Sequence, residues 1–293
     1  MMERPEMQAA SQRKAVPAAS LPSGRLRLLV GAALLVAALL GLGLWASLSG
    51  GGEGLRTNLA ERSLPPSWGH PLGTDWLGRD MLVRTVQGLW LSLQVGLLAS
   101  LAGAAIAAAA GLSAALLGRT ADRIVSWLMD LFLSLPHLVT LILIAFVCGG
   151  GLRGVLIGVA LTHWPSLARL IRAEAMQLRS ADYVAVSRSL GKSRVWIMTR
   201  HLLPHLLPHL LTGCLLLFPH AILHEAAITF IGLGLPPDQP AIGVILSESM
   251  RYLNAGLWWL AVFPGVALLL LVGAFDRLGH AASALLDPGR SQQ

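Results

Sequence analysis

Residues 182–204 read DYVAVSRSLGKSRVWIMTRHLLP and form a polar, basic segment between two long apolar runs. Gly191 can adopt the left-handed backbone conformation that ends a helix, so the segment predicts two short helices that meet at this glycine. Four basic residues make the segment positive: Arg188, Lys192, Arg194 and Arg200. Six residues would give it an apolar face: Tyr183, Val184, Leu190, Val195, Trp196 and Ile197. The segment is therefore either a docking surface for another protein or a basic loop that rests on anionic lipid headgroups.

The composition of the whole chain indicates a membrane protein. Of its 293 residues, 55% are hydrophobic and only 13% are charged, which is unlike a soluble domain. The net charge of +7 does not indicate a nucleic-acid-binding protein, because the basic residues lie between apolar runs and do not form one face. Cys148 and Cys214 belong to no paired-cysteine motif, so we expect two free thiols.

Apolar runs on both sides of the basic segment predict an all-α protein with six transmembrane helices. A helix of about 20 residues crosses a hydrocarbon core of about 30 Å. The predicted spans are 26–48, 89–117, 124–147, 154–168, 202–235 and 255–275. Pro136 predicts a kink in the third span, and the fourth reaches full length only if Arg169 and Arg172 snorkel at its end.

The distribution of lysine and arginine predicts the orientation of these spans, since cytoplasmic loops retain positive charge. With six spans, 16 of the 22 basic residues fall on one side of the membrane and 6 on the other. The prediction places both termini and residues 180–204 in the cytoplasm. It divides the chain into a disordered tail (1–24), a first transmembrane helix (25–48), a periplasmic segment (49–87), a core transmembrane domain (88–280) and a second tail (281–293).

The predicted periplasmic segment contains HPLGTDWLGRD at residues 70–80. Closely spaced glycines that alternate with Asp and Arg predict a tight, hydrogen-bonded turn. The simplest interpretation is a loop that caps the helix ahead of it. Six residues define the motif: Gly73, Thr74, Asp75, Gly78, Arg79 and Asp80.

Histidines are the main candidates for chemistry within the spans. His220 and His224 lie four residues apart and are followed by Glu225, a spacing at which two imidazoles can bind one transition-metal ion. Polar groups at membrane depth usually face an interior path, but each imidazole could equally bond a backbone carbonyl. His201, His205 and His209 share the same spacing near the predicted cytoplasmic end of the fifth span, and for these we favour the structural interpretation.

An intramembrane metalloprotease is the enzymatic alternative, and its motif fails. The sequence His-Glu-x-x-His requires a second histidine where this chain has Ile228. Neither a Gly-x-Ser-x-Gly elbow nor a phosphate-binding loop is present, so we expect no catalytic residue and no nucleotide site of its own. A passive channel or scaffold would leave the basic segment at residues 182–204 without a purpose.

The basic segment resembles the coupling loop of bacterial ABC-importer permeases. The matching residues are Tyr183, Val184, Arg188, Leu190, Gly191, Lys192, His201 and Pro204. Ala185 and Val186 replace the family's usual glutamate and alanine. The resemblance implies the type I ABC importer permease fold in the bacterial inner membrane, a second homologous permease, a periplasmic solute-binding protein, and two ATPase subunits that bind ATP and magnesium and dock on this loop. It implies no cofactor on this chain itself.

The GTDxxGRD string in residues 73–80 is similar to a signature of the nickel and peptide branch of that family. His163 with Trp164, together with His220 and His224, resembles the nickel importers, whereas Glu225 and the FIGLG run at residues 230–234 resemble both branches. The resemblance covers about residues 68–288. It implies transport of nickel or a metal chelate, with His163, His220, His224 and Glu225 in the path and with His220 and His224 as metal ligands. Transport of di- or oligopeptides is the alternative.

Overall fold

The computed structural model describes residues 52–286, together with Ala37 and Gly41. The predicted N-terminal tail, the first span at residues 26–48 and the last residues of the chain therefore lie outside the described residues. Within 52–286 the chain is helical and contains no β-strand, and Thr74 and Asp80 form an isolated antiparallel bridge. The eight helices discussed below are α1 (Met81–Leu116), α2 (Arg119–Ser134), α3 (His137–Val147), α4 (Gly151–Arg179), α5 (Asp182–Ser189), α6 (Arg194–Phe230), α7 (Ile242–Met250) and α8 (Trp259–Leu286).

Four of these helices, α1, α4, α6 and α8, are long and apolar enough to cross a membrane. The pair α2 and α3 would make a fifth span if it is counted as one broken helix. Five of the six predicted spans fall in residues 52–286, so this part of the chain agrees with the predicted all-α architecture.

The predicted kinked helix at 124–147 is wrong in degree. Helices α2 and α3 are separate, and the helix axis bends by 104° between them. Pro136 offers no backbone N–H, and its ring disfavours the helical conformation of the residue before it. Leu135 is accordingly extended, with φ −85° and ψ 146°. A sharp corner therefore replaces the expected kink.

The boundaries of α4 and α6 also differ from the prediction, and α6 spans Arg194–Phe230 and not residues 202–235. Helix α4 continues to Arg179, well past the predicted end at residue 168, so Arg169 and Arg172 do not end a short span. They form ion pairs with carboxylates of α2 instead: the Arg169 guanidinium lies 2.8 Å from Asp130 Oδ1, and Arg172 Nη2 lies 3.0 Å from Asp122 Oδ2. Because the charges are paired, they need not snorkel along a short helix.

Helix α1 forms the centre of the bundle and packs most extensively against α4, then against α6. Small residues line the contact with α4 and let the two backbones approach closely. A Cβ atom placed on Gly111 would lie 2.9 Å from the carbonyl oxygen of Ala168. Ala107, Ala115 and Ala175 are fully buried in the same core. This packing fixes α4 and α6 beside α1, and with them the polar groups that they carry.

Candidate functional site

Residues 182–204 were predicted to form two short helices, but the second is the first part of a long helix. Helix α5 ends at Ser189, and Gly191 follows with φ +75°. The Gly191 N–H donates to Arg188 O at 2.9 Å and the Lys192 N–H to Ser187 O at 3.1 Å, which is a Schellman helix end. The next helix is α6 itself, which begins at Arg194, passes through a π-helical turn at Met198–Leu202 and continues to Phe230. The basic segment is therefore joined directly to a membrane-spanning helix.

His201 connects α5 to the start of α6. The Ser187 hydroxyl donates its one proton to Tyr183 O at 2.9 Å, so His201 Nε2, also 2.9 Å from Ser187 Oγ, must donate to that oxygen. The rings of Tyr183 and Trp196 lie edge-on to the imidazole at 5.4 and 5.1 Å. The Lys192 ammonium lies 5.1 Å from the centre of the Trp196 ring. These contacts make the two helices one compact unit.

Two arginines contact the end of α1: Arg194, which belongs to this unit, and Arg179, the last residue of α4. Arg179 Nη1 donates to Ala115 O at 2.7 Å, and Arg194 Nη1 donates to Leu116 O at 3.3 Å. The last carbonyls of a helix have no partner within the helix and carry the negative end of its dipole, so cations are favoured there. The basic segment is thus held against both α1 and α6.

The predicted apolar face of the segment is divided between core and surface. Val184 and Ile197 are buried and pack in the core of the bundle, which corrects the expectation that they lie on an exposed contact face. The helical period places them on the side opposite the exposed residues. The exposed members are Tyr183, Leu190, Val195 and Trp196. Val186 is exposed beside them, as are Pro204 and the basic side chains of Arg188, Lys192, Arg194 and Arg200.

The GTDxxGRD motif forms a closed polar loop ahead of α1. The buried Asp75 carboxylate accepts four hydrogen bonds: from the Leu77 and Arg79 N–H groups, from Arg79 Nε at 2.6 Å and from Arg84 Nη1 at 2.7 Å. Arg84 Nη2 in turn donates to Glu248 Oε2 of α7 at 2.8 Å. The cluster attaches the loop to α1 and α7.

The remaining motif residues shape the same loop. Gly73 and Gly78 have φ +77° and +74°. The Thr74 hydroxyl donates to Glu61 O, and Asp80 caps α1 by accepting from the Leu82 and Val83 N–H groups at 2.8 and 3.1 Å. The simplest interpretation of the motif, a loop that caps the following helix, is thus confirmed in its geometry.

The histidines of the bundle are grouped differently from the prediction. His137, His163 and His224, from α3, α4 and α6, form one cluster in which a ring nitrogen of each lies within 4.8 Å of the others. The ring centres are 4.5 to 4.9 Å apart. His220, expected to pair with His224, is exposed, and its Nδ1 donates to Leu216 O at 2.9 Å. Two residues on one face of a helix need not form a site together, because side chains of neighbouring helices can lie closer to one of them.

His137 was missed in the sequence because its partners lie far away along the chain. The only signal was its position directly after Pro136, where the helix breaks. Polar groups at such breaks often line an interior space in membrane proteins.

Glu225 lies beside this cluster in the chain but faces away from it. Its buried carboxylate accepts hydrogen bonds from the hydroxyls of Ser92 at 2.7 Å and Thr229 at 3.0 Å. Thr229 Oγ1 also accepts from the Leu235 N–H at 3.2 Å. Glu225 therefore joins α1, α6 and the loop after α6, and its predicted role in a transport path stays a prediction.

Four apolar spanning helices, a broken helix pair and polar groups enclosed between them define a polytopic α-helical membrane protein. Residues 100–289 match the family described as "binding-protein-dependent transport system inner membrane component". The chain belongs to this family, the permease subunits of ABC importers. Such a permease is a transport subunit and not an enzyme, and it functions with ATPase and binding-protein partners.

Individual relatives agree with this assignment. A putative peptide transport system permease protein of Brucella suis biovar 1 is 34% identical over 79% of this chain and 78% of its own length. The dipeptide transport system permease protein DppC of Bacillus subtilis strain 168 is 32% identical over 80% and 73%. Among solved structures, the inward-facing methionine ABC transporter MetNI superposes with a TM-score of 0.53 at 20% identity, over 69% of this chain and 97% of that one. The fold is therefore that of type I importer permeases.

Proposed function

We propose that this chain and a second, homologous permease together form the path for di- or oligopeptides across the inner membrane. The observation that supports this cargo is the naming of the Brucella and Bacillus relatives, both of which are peptide or dipeptide permeases and match most of this chain. Neither name mentions nickel or a metal chelate, the cargo that the sequence analysis expected. Peptides, the alternative in the sequence analysis, therefore become the proposed cargo.

Two ATPase subunits, which bind ATP and magnesium, dock on the coupling segments at residues 180–204 of the two permeases. The exposed side chains of Val186, Leu190 and Val195 are 58%, 71% and 65% accessible, and basic residues surround them. An apolar patch rimmed by charge is typical of a protein contact, whereas headgroup binding needs the charge alone. This supports the docking interpretation over the lipid interpretation.

Movement of the docked ATPases reaches the membrane through α6. The helix that follows Gly191 runs without interruption from Arg194 to Phe230, and the Ser187–His201 hydrogen bond ties α5 to its first turns. A rigid displacement of the segment would therefore move the part of α6 that carries His224 and Glu225. Such rigid-body motion can alternate the side to which a cavity opens.

The orientation that this mechanism needs has both termini and the coupling segment in the cytoplasm. Its support is the excess of lysine and arginine on that side, 16 against 6. The loop that contains residues 73–80 then faces the periplasm, where the solute-binding protein delivers its cargo.

Uptake measurements test the proposed cargo. Cells that lack this chain should lose accumulation of a radiolabelled dipeptide and regain it when the chain is restored, whereas accumulation of radiolabelled nickel should not change. Loss of nickel accumulation with normal dipeptide uptake would overturn the peptide proposal. Co-purification of an ATP-hydrolysing subunit with the chain, and its loss when Leu190 is changed to Asp, tests the docking surface separately.

A further inference from the structure

His137, His163 and His224 come from three helices and converge at the corner where α3 begins. We propose that these three side chains form a binding site for a divalent transition-metal ion. The nitrogen atoms that would act as ligands all lie within 4.8 Å of one another. Three nitrogens on one tetrahedral ion, each about 2.0–2.1 Å from it, are separated by roughly 3.3 Å. Each pair of nitrogens would therefore have to approach by at most about 1.5 Å.

The hydrogen bonds of two of these histidines prepare them as ligands. His163 Nδ1 donates to Val159 O at 2.9 Å, and His224 Nδ1 donates to His220 O at 2.7 Å. Because a carbonyl oxygen only accepts, the proton of each ring is on Nδ1, and Nε2 keeps a lone pair. A metal-binding histidine usually has this arrangement, in which the second nitrogen is held by a carbonyl or a carboxylate.

Two ring nitrogens of the cluster lack hydrogen-bond partners. His137 Nε2 and His163 Nε2 are both buried, and neither has a hydrogen-bond partner. Buried polar atoms are bonded in the large majority of cases, so two unsatisfied nitrogens side by side require an explanation. A single cation between the rings would satisfy both at once. This observation is independent of the distances within the cluster.

The chemistry of the ligands limits which ions fit. Three imidazoles without a carboxylate in the cluster suit zinc, nickel, cobalt or copper, whereas magnesium and calcium prefer oxygen. His163 is 8% exposed, and His137 and His224 are half-buried, so the open side of the cluster lies toward the latter two. Three protein ligands would leave a coordination position on that side for water or for a donor atom of a passing molecule.

An ion at this position would also join α3 directly to α6, two helices that share few contacts of their own. It would connect α3 to α4 and α6 beside the 104° corner, and so would resist changes in the angle between α2 and α3. The site does not rest on the proposed peptide cargo, because its ligands are all in this chain.

Metal binding by the purified full-length chain tests the site. The chain is prepared with a tag free of histidine, in complex with its partner subunits, and is titrated with zinc, nickel or cobalt chloride alone. We expect one ion per chain above the amount bound by the partners, and with cobalt the visible absorption of a four-coordinate nitrogen site. The variants His137→Gln, His163→Gln and His224→Gln should each weaken binding by about tenfold or more, by analogy with the effect of altering the ligand environment in known metal sites.

Matched controls come from histidines of α6 that lie outside the cluster. His205→Gln and His209→Gln should leave the affinity within about twofold of the unchanged chain, a difference of about 0.4 kcal/mol. Gel filtration and thermal unfolding without metal show whether each variant is folded. Absence of a bound ion in the folded, unchanged chain, or equal affinity in folded His163→Gln, would overturn the site. Failure of dipeptide uptake alongside intact metal binding would overturn only the proposed cargo.

Discussion

The Ser187 hydroxyl accepts a hydrogen bond from His201 Nε2 at 2.9 Å and thereby joins the short α5 to the first turns of α6. Ser187 is in the short α5, whereas His201 is in the π-helical turn that leads into the membrane. π turns within helices occur frequently at functional sites. The contact therefore lies where force from a docked partner would enter the bundle.

Removal of this hydrogen bond should loosen the coupling segment without unfolding it. Ser187→Ala and His201→Phe should each lower stability by about 0.5–1.5 kcal/mol, and the double variant should lose less than the sum, because both changes remove the same bond. Phenylalanine retains the ring contacts with Tyr183 and Trp196. Thermal unfolding of the purified chain measures the effect. Ser189→Ala is the control, since Ser189 bonds only Ala185 O in its own helix; full additivity would contradict the shared bond.

Gly191→Val should uncouple ATP hydrolysis from uptake. A β-branched residue at φ +75° costs about 1–3 kcal/mol, and since no atom lies within 4 Å of the added Cβ, the cost comes from the backbone and not from a clash. We expect normal membrane insertion, continued hydrolysis by the ATPases and several-fold lower transport in proteoliposomes. Gly191→Asn is the matched control, because asparagine tolerates the left-handed region. Normal transport by the valine variant would count against a rigid coupling segment.

Asp75→Asn should be among the most damaging single changes in the loop before α1. The carboxylate is fully buried between Arg79 and Arg84, and loss of one partner from a buried ion cluster costs about 3–5 kcal/mol. Asp80→Asn should cost less than about 1 kcal/mol, because asparagine still caps α1. The yield and melting temperature of folded protein in detergent compare the two. Equal stability of both variants would show that the cluster is not structural.

Gly111→Ala should destabilise the bundle although alanine favours helices. The added methyl carbon would lie 2.9 Å from Ala168 O and 3.0 Å from Arg172 N, both backbone atoms of α4 that cannot move aside. We expect a loss of about 1–3 kcal/mol from overpacking. Gly273→Ala in α8 has open space around the new carbon and should be neutral or stabilising by up to about 1 kcal/mol. Thermal unfolding of both variants provides the comparison.

Cysteine labelling should establish the orientation. Cys148 is exposed just after α3, on the side that the basic-residue distribution assigns to the periplasm. In whole cells a membrane-impermeant maleimide should label the Cys214→Ser variant at Cys148. In a chain without native cysteines, Leu190→Cys should react only after the membrane is permeabilised. Labelling of Leu190→Cys in intact cells would reverse the proposed topology.

Apolar run lengths and glycine chemistry predicted that spans occur within residues 52–286 and that the chain turns at Gly191, but not where α4 and α6 begin and end. The 104° corner was underestimated, because Pro136 shows where a helix can break but not how neighbouring helices then orient the two halves. His163 and His224 were candidates for the path, but their meeting with His137 could not be predicted. His220 and His224 are adjacent on one helix, but the packing of α3 and α4 against α6 decides which of them acquires neighbours. Spacing along one helix does not show which of its histidines will have neighbours from other helices.

The ion pair between Arg84 and Glu248 joins residues 164 positions apart in sequence. During synthesis, the first of these residues leaves the ribosome long before the second exists. The loop that precedes α1 therefore cannot reach its final form until α7 has been made and inserted, and nascent chains that stop short of residue 248 leave Arg84 without this partner. The polar cluster that holds this loop in place is thus completed late in biogenesis.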